Sequence, residues 1–216
     1  MKYYFNMSEA FWRHPVIYTH RGFWEKHEEQ NTLSAIFTAE KKGFGAEIDV
    51  RSYGGQIQLS HDPLEHSKYC SLNELAEFRL PLAINLKEDG ILGKIQDSGI
   101  LDNNLNTFVF DGSIPQMLMA KKMGIRHALR ISEYEKTTDW RSDFIWLDSF
   151  ESDWWLGDSV ILQLFSSHRV VVVSPELHSR NPKEMWQFLK KMMTKQEINF
   201  GICTDKPEEF QDFVDG

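Results

Sequence analysis

Eight short runs rich in apolar, β-branched and aromatic residues recur along the chain, most of them separated by a helix-length segment, and no other feature constrains the fold as tightly. The runs cover residues 16–18, 46–51, 82–87, 107–111, 127–131, 144–148, 169–174 and 200–204. After the first run, Thr32 or Asn31 stands where it can cap a helix through Leu33, Ile36, Phe37 and Glu40 that stops at Lys42-Gly43. Apolar spacing and end signals predict further helices at 71–78 and 90–99, from Pro115 to Met123-Gly124, and at 159–165, 182–193 and 207–214. Strands that alternate with helices build a parallel sheet, and eight of them predict an α/β protein of the (β/α)8, or TIM-barrel, class. A β-hairpin extends the second strand, because Tyr53-Gly54-Gly55-Gln56 is a turn between two alternating segments and returns residues 57–59 alongside it. At 216 residues and 41% hydrophobic content, the chain is expected to form one domain, 1–216, with a sizeable core.

A barrel of this kind carries its reactive groups at the carboxyl ends of its strands. Those ends bring His20, Glu47, Asp49, Asn85, Lys87, Asp111, Arg130, Asp148, Glu176 and Asp205 to one rim. The densest group comes early. The first strand ends in His20-Arg21-Gly22, where glycine lets the chain turn without a Cβ penalty. On the second, the two-residue period puts Glu47, Asp49 and Arg51 on one face and Ile48 and Val50 on the other. Paired carboxylates repel unless a cation stands between them, and an all-oxygen setting suits a hard divalent ion, Mg²⁺ or Ca²⁺. The plainer alternative is an exposed strand face with Arg51 as the salt-bridge partner.

The hairpin returns His61-Asp62 toward the level of these carboxylates, so that His20 and His61 can share proton transfer across a reacting group. The alternative for both is an ordinary turn histidine. Lys87 shares a strand face with Asn85 and points into the same mouth. Arg21 either forks onto phosphate oxygens or pins a neighbouring carboxylate. Glu176, in Ser174-Pro-Glu-Leu-His178, either adds a carboxylate to the mouth or pairs with Arg180 or His178. Trp154-Trp155 either overhang the rim or pack over a helix end. The remaining histidines, His14, His27, His66, His127, His168 and His178, lack the spacing of a zinc site.

Taken in order, these motifs resemble the glycerophosphodiester phosphodiesterase family: His20-Arg21-Gly22, Asn31-Thr32 opening a helix, Glu47-Ile-Asp49-Val, then His61-Asp62 after a glycine. Late in the chain, Gly201-Ile-Cys-Thr-Asp205-Lys-Pro207 resembles the family's terminal strand and turn, so the matches bracket nearly the whole sequence. The wider superfamily includes bacterial phosphatidylinositol phospholipase C and sphingomyelinase D. The resemblance implies a TIM barrel that hydrolyses a small phosphodiester substrate. It implies His20 and His61 as general base and general acid in unassigned order, Arg21 and Lys87 as phosphate contacts, and Glu47 and Asp49 as metal ligands. The nucleophile is either water or a neighbouring substrate hydroxyl. Two positions depart from the pattern, Gln30 and Asn85, each an amide where the family has a carboxylate. Asn85 ligates only through a neutral carbonyl oxygen, so the divalent metal is expected to bind weakly. Gln30 and Glu176 are accessory candidates. Two other readings stay open: a phosphodiester-binding module impaired in turnover, and a metal-independent, phospholipase C-like enzyme in which Arg21 and Lys87 supply the charge.

A net charge of −8 leaves no broad basic surface, which argues against a nucleic-acid partner. The first residues lack the apolar core of a secretory signal, and no apolar run approaches the roughly 20 residues of a membrane span. Cys70 and Cys203, in unrelated contexts, read as reduced thiols of a cytoplasmic protein.

Overall fold

A computed structural model describes residues 15–63, 70–136, 142–195 and 200–216; His14 and His66 lie outside them. The chain opens with β1 (Val16–His20), α1 (Leu33–Lys41), β2 (Gly45–Tyr53) and β3 (Gln56–Leu59), and continues with β4 (Leu82–Leu86), α2 (Leu92–Asp97) and β5 (Phe108–Phe110). Then follow α3 (Ile114–Lys122), β6 (Ala128–Ile131), β7 (Phe144–Leu147), α4 (Ser159–Ser167), β8 (Arg169–Val173), α5 (Lys183–Thr194), β9 (Phe200–Thr204) and α6 (Pro207–Asp215).

Eight of the strands run parallel in the order β5-β4-β2-β1-β9-β8-β7-β6, and β3 lies antiparallel on β2. The two ends of that order meet where Val109 pairs with His127, the Val109 amide donating to Arg126 O at 3.0 Å. The sheet is therefore a nearly closed TIM barrel with a hairpin after its second strand, as the alternation of runs predicts. In the hairpin, Gly54 and Gly55 both take positive φ, 57° and 85°, the two-residue turn whose twist matches the flanking strands.

Strand alternation divides the core into layers. Tyr18, Phe108, Phe110, Phe144, Trp146 and Val171 fill the barrel interior, where Phe108 stacks on Phe144 at 4.3 Å and Phe110 on Trp146 at 4.0 Å. Their neighbours Ile17, Ile48, Ile84, Ile145 and Val170 face outward against the helices. Helix starts follow side-chain chemistry: Thr32, Ser113 and Asp158 each accept amide hydrogen bonds at the heads of α1, α3 and α4. Trp155 is fully buried with Nε1 donating to Ser149 Oγ, so it packs inside and does not overhang the rim. Neither Cys70 nor Cys203 forms a disulfide among the described residues. No helix among the described residues is long and apolar enough to cross a membrane.

Two expectations need correction. The 90–99 helix shortens to α2 because Gly90 and Gly99 turn the chain in left-handed conformation at both ends. The 71–78 helix is a single 3₁₀ turn, Leu72–Leu75, closed by reciprocal hydrogen bonds between Ser71 and Glu74. Met119 also proves exposed, whereas Met117, two positions earlier on α3, is buried.

Candidate active site

The β1 end sets the geometry. Gly22 takes φ +92°, and a Cβ there would lie 2.8 Å from the Ala35 backbone, so the turn admits glycine alone. Arg21 before it also takes positive φ, as do Asn31 and Asp111, which places three uncommon non-glycine conformations around one rim. This turn aims the Arg21 amide at Glu47 Oε2, 3.2 Å away, and its guanidinium at Asp49, with Nε 2.8 Å from Oδ2. Nη1 of Arg21 donates to Gln30 Oε1 at 3.1 Å. Asn31 clamps Asp49 reciprocally: its Nδ2 donates to Oδ2 at 2.9 Å and its Oδ1 accepts from the Asp49 amide at 3.0 Å. Capping α1 falls to Thr32, so the sequence reading of Asn31 missed its role.

Lys87 reaches in from the end of β4, its Nζ 2.9 Å from Asp49 Oδ1. Asp49 is thus held between two cations. Burial alone would raise its pKa, but Lys87, Arg21 and the Asn31 hydrogen bond outweigh burial and hold it below the ordinary carboxylate value. Glu47, equally buried, has no such escort. Burial first, and the Asp49 charge second, push its pKa up to about 7.

His20 closes the group on the β9 side, with Nδ1 2.8 Å from Asp205 Oδ1. Burial pulls the imidazole down, but the Asp205 hydrogen bond and the Glu47 charge prevail and raise its pKa. With Nδ1 committed to Asp205, Nε2 is the nitrogen left for proton transfer. Asp205 is itself braced by Glu176: one carboxylate oxygen takes hydrogen bonds from the Thr204 hydroxyl and, at 3.2 Å, the Asp205 amide, and the other is bonded to the Ser174 hydroxyl. Neither expected role of Glu176 holds, since it adds no free carboxylate to the mouth and pairs with neither Arg180 nor His178. Those two have other partners, Arg180 with Asp153 and His178 Nε2 with Asp148 Oδ1 at 2.7 Å.

His61 stands apart. Its ring bonds the neighbouring Asp62 at 2.8 Å, its side chain is 46% exposed, and it makes no hydrogen bond or ion pair to the His20 group among the described residues. Arg51, expected beside Glu47 and Asp49, instead donates to the carbonyls of His61 and Lys87, tying the hairpin to β4. Across the mouth, Arg130 pairs with Asp111 and lies 4.0 Å from Asp148. A signal for this second cluster was available in the sequence, since Asp111, Arg130 and Asp148 end three consecutive strands.

The donor set was tested for a divalent ion on its own chemistry. In favour stands Asn85 Oδ1, a buried acceptor with no hydrogen-bond partner, on the residue in register with Asp49. Against it, both Asp49 oxygens already face cations, and no group of three or more His, Cys, Asp or Glu converges on a metal position among the described residues. The residues fit Mg²⁺ or Ca²⁺ only if Lys87 yields its place on Asp49.

No family model and no curated protein matches the chain. Among solved structures, it is similar to the crystal structure of a glycerophosphoryl diester phosphodiesterase from Parabacteroides distasonis. The TM-score is 0.54 at 14% identity, over 94% of this chain and 87% of that one. What the two share at this identity is the fold, the eight-stranded parallel barrel.

Proposed function

We propose that the chain is a one-domain phosphoric diester hydrolase that cleaves a glycerophosphodiester or a related small headgroup diester. The observation that carries the reading is His20, fixed through Nδ1 by Asp205, on the same rim as an Asp49 held between Arg21 and Lys87. An attacking hydroxyl, from water or from the substrate, gives its proton to His20 Nε2 as the new P–O bond forms. Arg21 and Lys87 keep N–H donors beyond those facing Asp49 and meet the charge that builds on the phosphate oxygens. The old P–O bond breaks as the leaving oxygen takes a proton from His61, whose half-exposed ring is bonded to Asp62.

A second reading adds a divalent ion on Glu47, Asp49 and Asn85, which would neutralise the same phosphate oxygens. The unpaired Asn85 Oδ1 favours it. The test is hydrolysis of a glycerophosphodiester panel with Mg²⁺, with Ca²⁺ and with chelator, native chain against His20→Ala. Turnover that survives chelation and dies in the variant supports the charge supplied by Arg21 and Lys87; chelator-sensitive turnover supports the ion. Binding without turnover in either condition assigns the barrel to a binding module.

A further inference from the structure

The barrel is least closed between β5 and β6. β5 is three residues long, and above the Val109–His127 pair the ends of β5 and β6 are linked by the Asp111–Arg130 ion pair instead of a strand ladder. A cavity of about 840 Å³ opens at this seam. Its upper wall shares Asn85 and Lys87 with the candidate site, so cavity and site are continuous. Its outer wall has another character. Ile114, Met117 and Leu118 of α3 form an apolar stripe in it together with Leu129 of β6 and Tyr134, and Lys121, Glu135 and Lys136 line it beside them. Leu129 faces outward and packs, partly buried, against the cluster that includes Met117.

Three of these apolar side chains meet solvent: Ile114 is 75% exposed, Leu118 56% and Tyr134 69%. Ile114 and Leu118 lie one turn apart, so the exposure is a stripe along α3 and not scattered residues. The volume falls within the range of small-molecule sites, roughly 300–1,000 Å³, and a bare glycerophosphodiester would leave the apolar wall wet.

We propose that this seam groove holds the hydrocarbon chain of the substrate, so that the favoured substrate is a monoacyl phosphodiester with its phosphate at Lys87 and its chain along Ile114, Leu118 and Leu129. The inference rests on the hydrolase reading given above. Chain burial tightens binding roughly fourfold per methylene removed from water. KM is therefore expected to fall steeply from glycerophosphocholine through short- to medium-chain 1-acyl derivatives below their micelle concentrations, with kcat changing less.

The decisive variant is Leu118→Glu, which lies on an exposed face and away from the proposed chemistry. It should erase the chain-length dependence, raising KM about tenfold or more for the longest chain, and leave glycerophosphocholine unaffected. A second measurement does not depend on turnover: binding of dodecylphosphocholine below its micelle concentration, followed by tryptophan fluorescence. The native chain and His20→Ala should bind it equally, and Leu118→Glu about tenfold more weakly. Detergent binding of this pattern without hydrolysis of any diester sinks the hydrolase reading and keeps the groove. Hydrolysis without chain-length dependence sinks the groove and keeps the hydrolase. Binding that Leu118→Glu does not weaken also overturns the proposal, as does sedimentation showing a dimer that Leu118→Glu dissolves, which would give the face to a second copy of the chain.

Discussion

The two sides of the barrel mouth are built on opposite plans. On the β8-β9-β1-β2 side most of the polar side chains are held by another: Glu176 braces Asp205, Asp205 holds His20, and Asn31, Arg21 and Lys87 surround Asp49. On the β5-β6 side the Asp111–Arg130 ion pair spans an open cleft, one wall of which carries an exposed apolar stripe. Dense hydrogen bonding fixes a reacting nitrogen to within a fraction of an ångström, which chemistry requires. A loosely sealed apolar cleft gives up that precision and gains access and selectivity for a chain. On the proposed reading, one fold separates the group that reacts from the surface that chooses.

The sharpest way to break this contrast is at its rigid end. His20→Ala should lower kcat about 10³-fold or more on whichever diester is turned over, whereas Leu118→Glu leaves small substrates untouched. Asp205→Asn should cost about 10²-fold by releasing the imidazole from its tautomer. It should also move the alkaline-rising limb of the kcat–pH profile to lower pH, because Asp205 raises the His20 pKa.

Glu47 offers a test by stability. Its folded pKa, about 7, stands above its ordinary value, so the folded state keeps a proton that the unfolded chain has released, and stability falls as pH rises from about 4.5 through 7. The full cost above that window is about 3 kcal/mol. Glu47→Gln should therefore gain up to that amount at pH 8 and little at pH 4, as read from urea midpoints at the two values. A variant destabilised equally at both would show that the Glu47 charge is fully neutralised by Arg21 and Lys87. The smallest effect belongs to the seam: Arg130→Met, which strands the mostly buried Asp111 without its cation, should cost about 2 kcal/mol in the same assay. A neutral outcome would mean that the ion pair does not hold the cleft together.

The barrel was legible in the sequence because each strand announces itself locally, by a β-branched or aromatic run bounded by glycine, proline or a cap. The His20 group was legible because strand periodicity fixes which residues share a face, and Asp49 and Asn85 do stand in register. Glu176 was not legible: its role depends on the 3₁₀ turn after β8 folding its carboxylate back onto the end of β9, a relation that no local pattern encodes. The open seam was equally hidden, since it follows from the three-residue length of β5. His61 was placed by turn geometry at the right height, but the hairpin leaves its ring on Asp62 and facing solvent.

The hydrogen bond from His20 to Asp205 joins residues 185 positions apart, and β1 finds its outer neighbour only in β9. During synthesis, at roughly 5–20 residues per second, β1 and its turn must therefore wait some tens of seconds for the strand that completes them. Throughout that interval one edge of β1 is unpaired, and His20 has no carboxylate to set its tautomer. On the hydrolase reading, competence then arrives in a single late event, the docking of β9, and a nascent chain stalled before Asp205 would carry most of a barrel with its imidazole unset.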